Sequence, residues 1–119
     1  MITVLSFSSP VPTRAPQSPY GVAISPYLVD IIWLPPPAID INGEIDFYIV
    51  EATELISGQF MTYHAVEDHI FAPARPGYAY RCRVAAFTVG QGPFTDYFIV
   101  TSQELGIPVK ILRYRAESL

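Results

Sequence analysis

The sequence predicts an all-β sandwich of seven short strands with an extension at each end. Three observations carry this. Between Pro76 and Pro93 the side chains of Tyr80, Cys82, Val84 and Ala86 alternate with Arg81 and Arg83, the period of two that puts one set on each face of a strand. The one Trp, Trp33, is in phase with Val29 and Ile31, which marks a buried face. Turn-forming residues recur every eight to twelve positions along the chain, the spacing of a sandwich of short strands.

Each element follows from local chemistry. Residues 1–16 are rich in proline and serine and sustain neither a sheet ladder nor a helix, so they read as an extended arm with polyproline II character after Pro10. The first strand spans Tyr20 to Ser25 and ends at Pro26. The second runs from Leu28 to Leu34, with Val29, Ile31 and Trp33 on one face and Asp30, Ile32 and Leu34 on the other, and Pro35-Pro36-Pro37 stops it. Asn42-Gly43 makes a turn, because both residues tolerate positive φ. Ile45 to Thr53 forms a third strand with Tyr48, Val50 and Ala52 inward. Phe60 to Val66 forms a fourth, and an acidic turn at Glu67-Asp68 leads to a fifth at His69 to Ala74. The sixth carries Tyr80 to Ala86, Gly90-Gln91-Gly92-Pro93 turns the chain, and the seventh covers Phe94 to Ser102. Residues 104–119 form a C-terminal extension that fits either a short helix or an added edge strand.

Composition excludes several functions. Of 119 residues, half are apolar and only 15% are charged, against about 25% in ordinary soluble domains, so part of the apolar surface is expected to lie against partners. The net charge of −4 offers no basic field for a phosphate backbone, so no nucleic acid is expected as a partner. No apolar run reaches the ~18–20 residues that span a bilayer, so no membrane insertion is expected. Met1 to Phe7 lacks the charged start of a signal peptide. The single cysteine, Cys82, excludes an internal disulfide and reads as a small buried hydrophobe. The one Asn, Asn42, is not in a glycosylation sequon. These features favour a cytoplasmic or cytoskeletal setting, with an extracellular one as the alternative.

Pro76, Gly77, Tyr80, Arg83, Val84 and Ala86 together resemble the strand E–F corner of fibronectin type III domains, a branch of the immunoglobulin-like sandwiches. Ile31-Ile32-Trp33-Leu34-Pro35-Pro36 is similar to that family's strand B. Asn42-Gly43, Ile45, Tyr48 and Val50 are similar to its entry into strand C, and Gly90, Gly92, Pro93 and Thr95 to its F–G loop and the start of strand G. The resemblance covers residues 17–103. It implies a scaffold used for binding and spacing, and it implies that Tyr80 is a corner tyrosine whose hydroxyl bonds to backbone across the E–F connection. Ala74 stands where the family usually has Leu. No Arg-Gly-Asp sequence occurs, so integrin binding through that motif is not expected.

No constellation points to catalysis. His64 and His69 with Glu67 and Asp68 are the one cluster suited to a metal, but zinc needs three or four converging ligands, and a solvated turn explains them better. Neither His has a recognisable orienting partner near a nucleophile, and Gly90-Gln91-Gly92 runs into Pro93 and a strand rather than a helix. The chain is therefore expected to be no enzyme and to need no cofactor or metal. The stronger signal is the outward-facing set. With Trp33, Tyr48, Tyr80 and Val84 as structural core, Phe47, Ile49, Ala85, Phe87, Tyr97 and Ile99 point out beside Arg81 and Arg83. By the family likeness these share one sheet, the C–F–G face. Arg and aromatic residues together are typical of binding hot spots. The expected function is a non-catalytic protein-binding or structural module, docking through this face and its terminal arms as a subunit of a larger assembly. A cytoskeletal or ciliary axonemal scaffold is the favoured home. The alternative is an extracellular adhesion or receptor domain from a longer chain, and a third possibility is a carbohydrate-associated spacer.

Overall fold

A computed structural model of the chain describes residues 11–105. The first part of the expected arm and nearly all of the C-terminal extension, with its helix and edge-strand alternatives, lie outside the described residues. Within them are eight strands and one short 3-10 turn. They are β1 (Gln17–Ser25), β2 (Leu28–Leu34), β3 (Phe47–Glu54), β4 (Phe60–Ala65), β5 (His69–Pro73), β6 (Ala79–Phe87), β7 (Gln91–Phe94) and β8 (Phe98–Thr101). Strands β1, β2 and β5 make a three-stranded antiparallel sheet in the order β1-β2-β5. The second sheet runs β4-β3-β6-β7, and β8 also pairs with β6.

Several strand ends differ from the sequence reading by a residue or two, and three differences alter the strand pattern. The single seventh strand is two, β7 and β8, because the register against β6 slips between Phe94 and Phe98. Thr95 bridges the gap: its N–H donates to the Val84 carbonyl at 2.8 Å, and its hydroxyl accepts from the Val84 N–H at 3.1 Å. The turn falls at Thr88–Gly90, and Gln91-Gly92-Pro93 already belongs to β7, an edge strand where the missing proline N–H costs no ladder bond. Strand β1 begins at Gln17 rather than Tyr20, with Ser18 at φ 51° absorbing a register irregularity.

The sheets meet over an apolar layer. Val29, Ile31 and Trp33 of β2 face Tyr48, Val50 and Ala52 of β3 and Tyr80, Cys82, Val84 and Ala86 of β6, all nearly inaccessible to water. Trp33 meets the Tyr48 ring edge-on at 5.1 Å, a favoured aromatic geometry. Burial, and after it the nearby Asp68 carboxylate, pushes the Tyr48 phenol up to about 12. Burial does the same to the Cys82 thiol, also to about 12, which leaves it an unreactive core group.

Where β1 crosses β8 the sheets approach closely. A Cβ on Gly21 would lie 2.4 Å from both Val100 methyl groups, so only glycine fits. The described part of the arm also lies on the body. Pro12 is buried, Thr13 N–H donates to Asp40 O at 2.9 Å, and Asn42 Nδ2 donates to Val11 O at 3.0 Å. Gly92 leaves the room Pro12 occupies, since a Cβ there would sit 2.8 Å from the proline ring.

Gly21→Ala is expected to cost about 1–3 kcal/mol in urea denaturation through overpacking. In Gly21→Ala/Val100→Ala the new methyl enters the space Val100 vacates, so the double loss should fall short of the summed single losses by roughly 1 kcal/mol. Strict additivity would show that this crossing does not limit the sheet separation.

Candidate functional site

Residues paired across antiparallel strands point to the same side of the sheet. The pairings of β3 with β6, and of β6 with β7 and β8, therefore place the expected outward residues in rows. Phe47 pairs with Phe87, Ile49 with Ala85, Glu51 with Arg83, and Thr53 with Arg81; Phe94 lies beyond Ala85 and Ile99 beyond Arg81. The outer face of this sheet thus brings together Phe47, Ile49, Arg81, Arg83, Phe87 and Ile99, with Tyr97 at its rim.

The residues on the face are unequally available. Phe47 stacks on Phe87 at 4.6 Å and on the His64 ring at 4.7 Å, so these rings largely satisfy one another. Ala85 differs from the expectation: lying in register between Ile49 and Phe94, it is fully covered by its larger neighbours. Arg83 is also engaged. Its Nε donates to Glu51 Oε1 at 2.7 Å, and its guanidinium lies 4.0 Å from the centre of the Phe94 ring and 5.0 Å from that of Tyr97. The open part lies at the other end of the face, where Arg81 sits over the half-exposed Tyr97 ring at 4.6 Å beside exposed Ile99. Phe60, opposite Thr53 on β4 and 56% exposed, completes it. Sequence reasoning left Phe60 out, although its phase with Thr62 and His64 was readable once β4 was aligned to β3.

A polar corner closes the far end of the core. Arg75 N–H donates to the Tyr80 hydroxyl at 2.8 Å, and that hydroxyl donates to Glu54 Oε2 at 3.3 Å. Arg75 Nε lies 3.5 Å from the same carboxylate oxygen. Ser102 accepts from Tyr78 N–H at 3.2 Å and donates to the Arg75 carbonyl. Burial raises the Tyr80 phenol above its ordinary value, and the Arg75 N–H partly offsets this. Glu54 was missed by ending the third strand at Thr53. It continues the inward phase of Tyr48, Val50 and Ala52 and is a buried carboxylate.

The two histidines serve different neighbours. His64 stacks on Phe47, while His69 Nδ1 lies 2.9 Å from Asp30 Oδ1 and its Nε2 lies 3.5 Å from Glu67. An open cleft of about 500 Å³ lies between β4 and β5, lined by His64, Val66, Glu67, His69 and Phe71 among others. No three His, Cys, Asp or Glu side chains converge on a metal position among the described residues.

The three-stranded sheet has an outer face that the sequence analysis did not single out. Tyr20, Val22 and Ile24 of β1, Leu34 of β2 and Phe71 of β5 are all exposed there, around the Asp30–His69 pair. The signal was present in the alternation of Tyr20, Val22 and Ile24 and in the shared phase of Asp30, Ile32 and Leu34.

No protein-family model matches the sequence, and no curated protein matches it. Solved structures do. The third fibronectin III domain of human KIAA0343 protein superposes with a TM-score of 0.70 at 20% identity, over 80% of this chain and 86% of that one. The FN5 domain of Drosophila Lar gives a TM-score of 0.62 at 23% identity, over 78% of this chain and 98% of that one. The FN1–FN3 fragment of chicken CNTN1 gives 0.69 at 22%, over 79% of this chain and 35% of the fragment. The chain has the fibronectin type III fold.

The Asp30 hydrogen bond raises the His69 pKa above its ordinary value; burial works against it, and the charges of Asp30 and Glu67 add to it. A pKa raised on folding contributes stability that is fully present below the unfolded value, about 6.5, and is lost as pH rises through the folded value. An NMR titration of His69 should therefore find a midpoint above 6.5, and Asp30→Asn should lower it. A wild-type midpoint at or below the ordinary value would break the pairing.

Proposed function

We propose that this chain is a non-catalytic protein-binding module that docks through the outer face of β3, β6 and β8, with its terminal segments extending the contact, as part of a larger protein assembly. The observation that carries this reading is the open end of the face, where an aromatic ring, an arginine and two exposed apolar side chains, Phe60 and Ile99, stand together on a rigid sheet. Aromatic and Arg side chains held by packed strands lose little entropy on binding, which is why they dominate interface energetics. Single exposed apolar groups need no partner, but a contiguous set does. The likeness to modules of longer proteins, such as the CNTN1 fragment, supports a role within a multi-part structure. The setting we favour is cytoplasmic or cytoskeletal, with a ciliary axonemal scaffold as one example.

The test uses the full chain with Phe47→Asp and Ile99→Asp, expressed in its source cells and sized without denaturant. Wild type should elute in a large complex. The double variant should elute as a ~13 kDa species with an unchanged β-sheet circular dichroism spectrum. A variant that stays in the complex would move docking to another surface. One that unfolds would show that the stack of Phe47 on Phe87 and His64 is needed for the fold, and Ile99→Asp alone then decides the docking in the same assay.

A further inference from the structure

We infer that Arg81 anchors a carboxylate-bearing, otherwise apolar segment of a protein partner, laid across the row of Phe60, Thr53 and Ile99 beside Tyr97. This rests on the docking-face reading above and names the chemistry of its partner.

Charge singles out Arg81. Within residues 11–105, leaving aside Glu117, Lys110, Arg113 and Arg115, ten carboxylates face four arginines. Three of those arginines have a carboxylate within reach: Arg14 lies 4.0 Å from Asp40, Arg75 lies 3.5 Å from Glu54, and Arg83 lies 2.7 Å from Glu51. Among the described residues Arg81 is the one without a carboxylate. It is exposed and held over the Tyr97 ring. A ring beneath a guanidinium fixes its plane and leaves its edge N–H groups free, ready for the paired contact a carboxylate makes.

One end of the sandwich carries Glu44, Asp46 and Asp68, beside the paired Asp40 and Glu67, in the β2–β3 connection and the β4–β5 turn, and this acidic end disfavours an acidic partner. Arg81 lies toward the other end of β6, in register with Thr53 and Ile99. An anionic segment is thus disfavoured at one end and drawn to one spot on the face, so that repulsion and attraction both contribute to selection. Exposed Ile99 and Phe60 on either side of the Thr53–Arg81 pair call for apolar residues flanking the carboxylate.

The test is an amide and arginine Nε–H NMR titration of the full chain with two acetylated, amidated peptides, one alternating leucine with glutamate and the other leucine with glutamine. The glutamate peptide should shift the Arg81 Nε–H and the amides of Thr53, Tyr97 and Ile99. The glutamine peptide should bind about fivefold more weakly, and Arg81→Gln should lose the same factor for the glutamate peptide only. The amide spectrum of that variant verifies its fold. Equal binding of both peptides at this face overturns the carboxylate assignment and leaves the docking face standing. Shifts mapping onto β1, β2 and β5, or none with either peptide, also overturn it, and the Phe47→Asp/Ile99→Asp assay then decides the face separately.

Discussion

Everything in this sandwich depends on the register of β6. That strand pairs with β3 along one side and with β7 and then β8 along the other, so it sets the alignment of the whole five-stranded sheet. Its inward residues Cys82, Val84 and Ala86 are entirely buried, while Arg81 and Arg83 point away from the core. Because side chains alternate strictly, a slip of one residue would drive both guanidinium groups into the apolar layer. Each unpaired charge there costs several kcal/mol, more than a domain of this size can absorb twice. The arginines that make the outer face chemically interesting are also what prevents the strand from pairing wrongly.

The polar corner around Tyr80 serves the same end from the other side of the core. A buried carboxylate such as Glu54 is costly unless every lone pair finds a donor. Here the Tyr80 hydroxyl and the Ser57 hydroxyl donate to it, and Arg75 supplies the opposite charge at the water boundary. These groups come from β3, the turn after it, the β5–β6 connection and β6 itself. Ser102 then ties that connection to the end of β8 through Tyr78 and Arg75. The network is satisfied only when β3, β6 and β8 sit at their native relative heights. It therefore adds a polar check on the register that apolar packing alone leaves loose.

Much of this was legible before the fold was known, because alternation is a strong signal wherever one face is dry. The core residues of β2, β3 and β6 all followed from phase alone, as did the outward placement of Phe47, Arg81, Arg83 and Ile99. The break between β7 and β8 was not legible. In an uninterrupted strand Phe94 would share a face with Phe98 and Val100, yet Phe94 lies outward beneath Arg83, while Phe98 packs against the core. One extra residue between Phe94 and Phe98 reverses the phase, and it brings Phe94 and Tyr97, three positions apart, to the same guanidinium, that of Arg83, with Tyr97 also beneath Arg81. Nothing in the residues 94–98 announces a bulge. What selects it is long-range: Thr95 replaces the ladder bonds at Val84, and the guanidinium groups gain two rings.

The same bulge separates the two outer faces in chemical character. The face of β1, β2 and β5 is apolar but electrically closed, since Asp30 is matched by His69 at its centre. It offers area without direction. On the face of β3, β6 and β8 the rings of Phe94 and Tyr97 hold two arginines, but Glu51 neutralises only Arg83. One cation remains, fixed in place and flanked by apolar groups, on a domain whose other arginines are all paired among the described residues. A fold shared with many unrelated modules says nothing of the partner. The Arg81 charge, held at a fixed point by the Tyr97 ring, gives this face a direction that the apolar face of β1, β2 and β5 lacks.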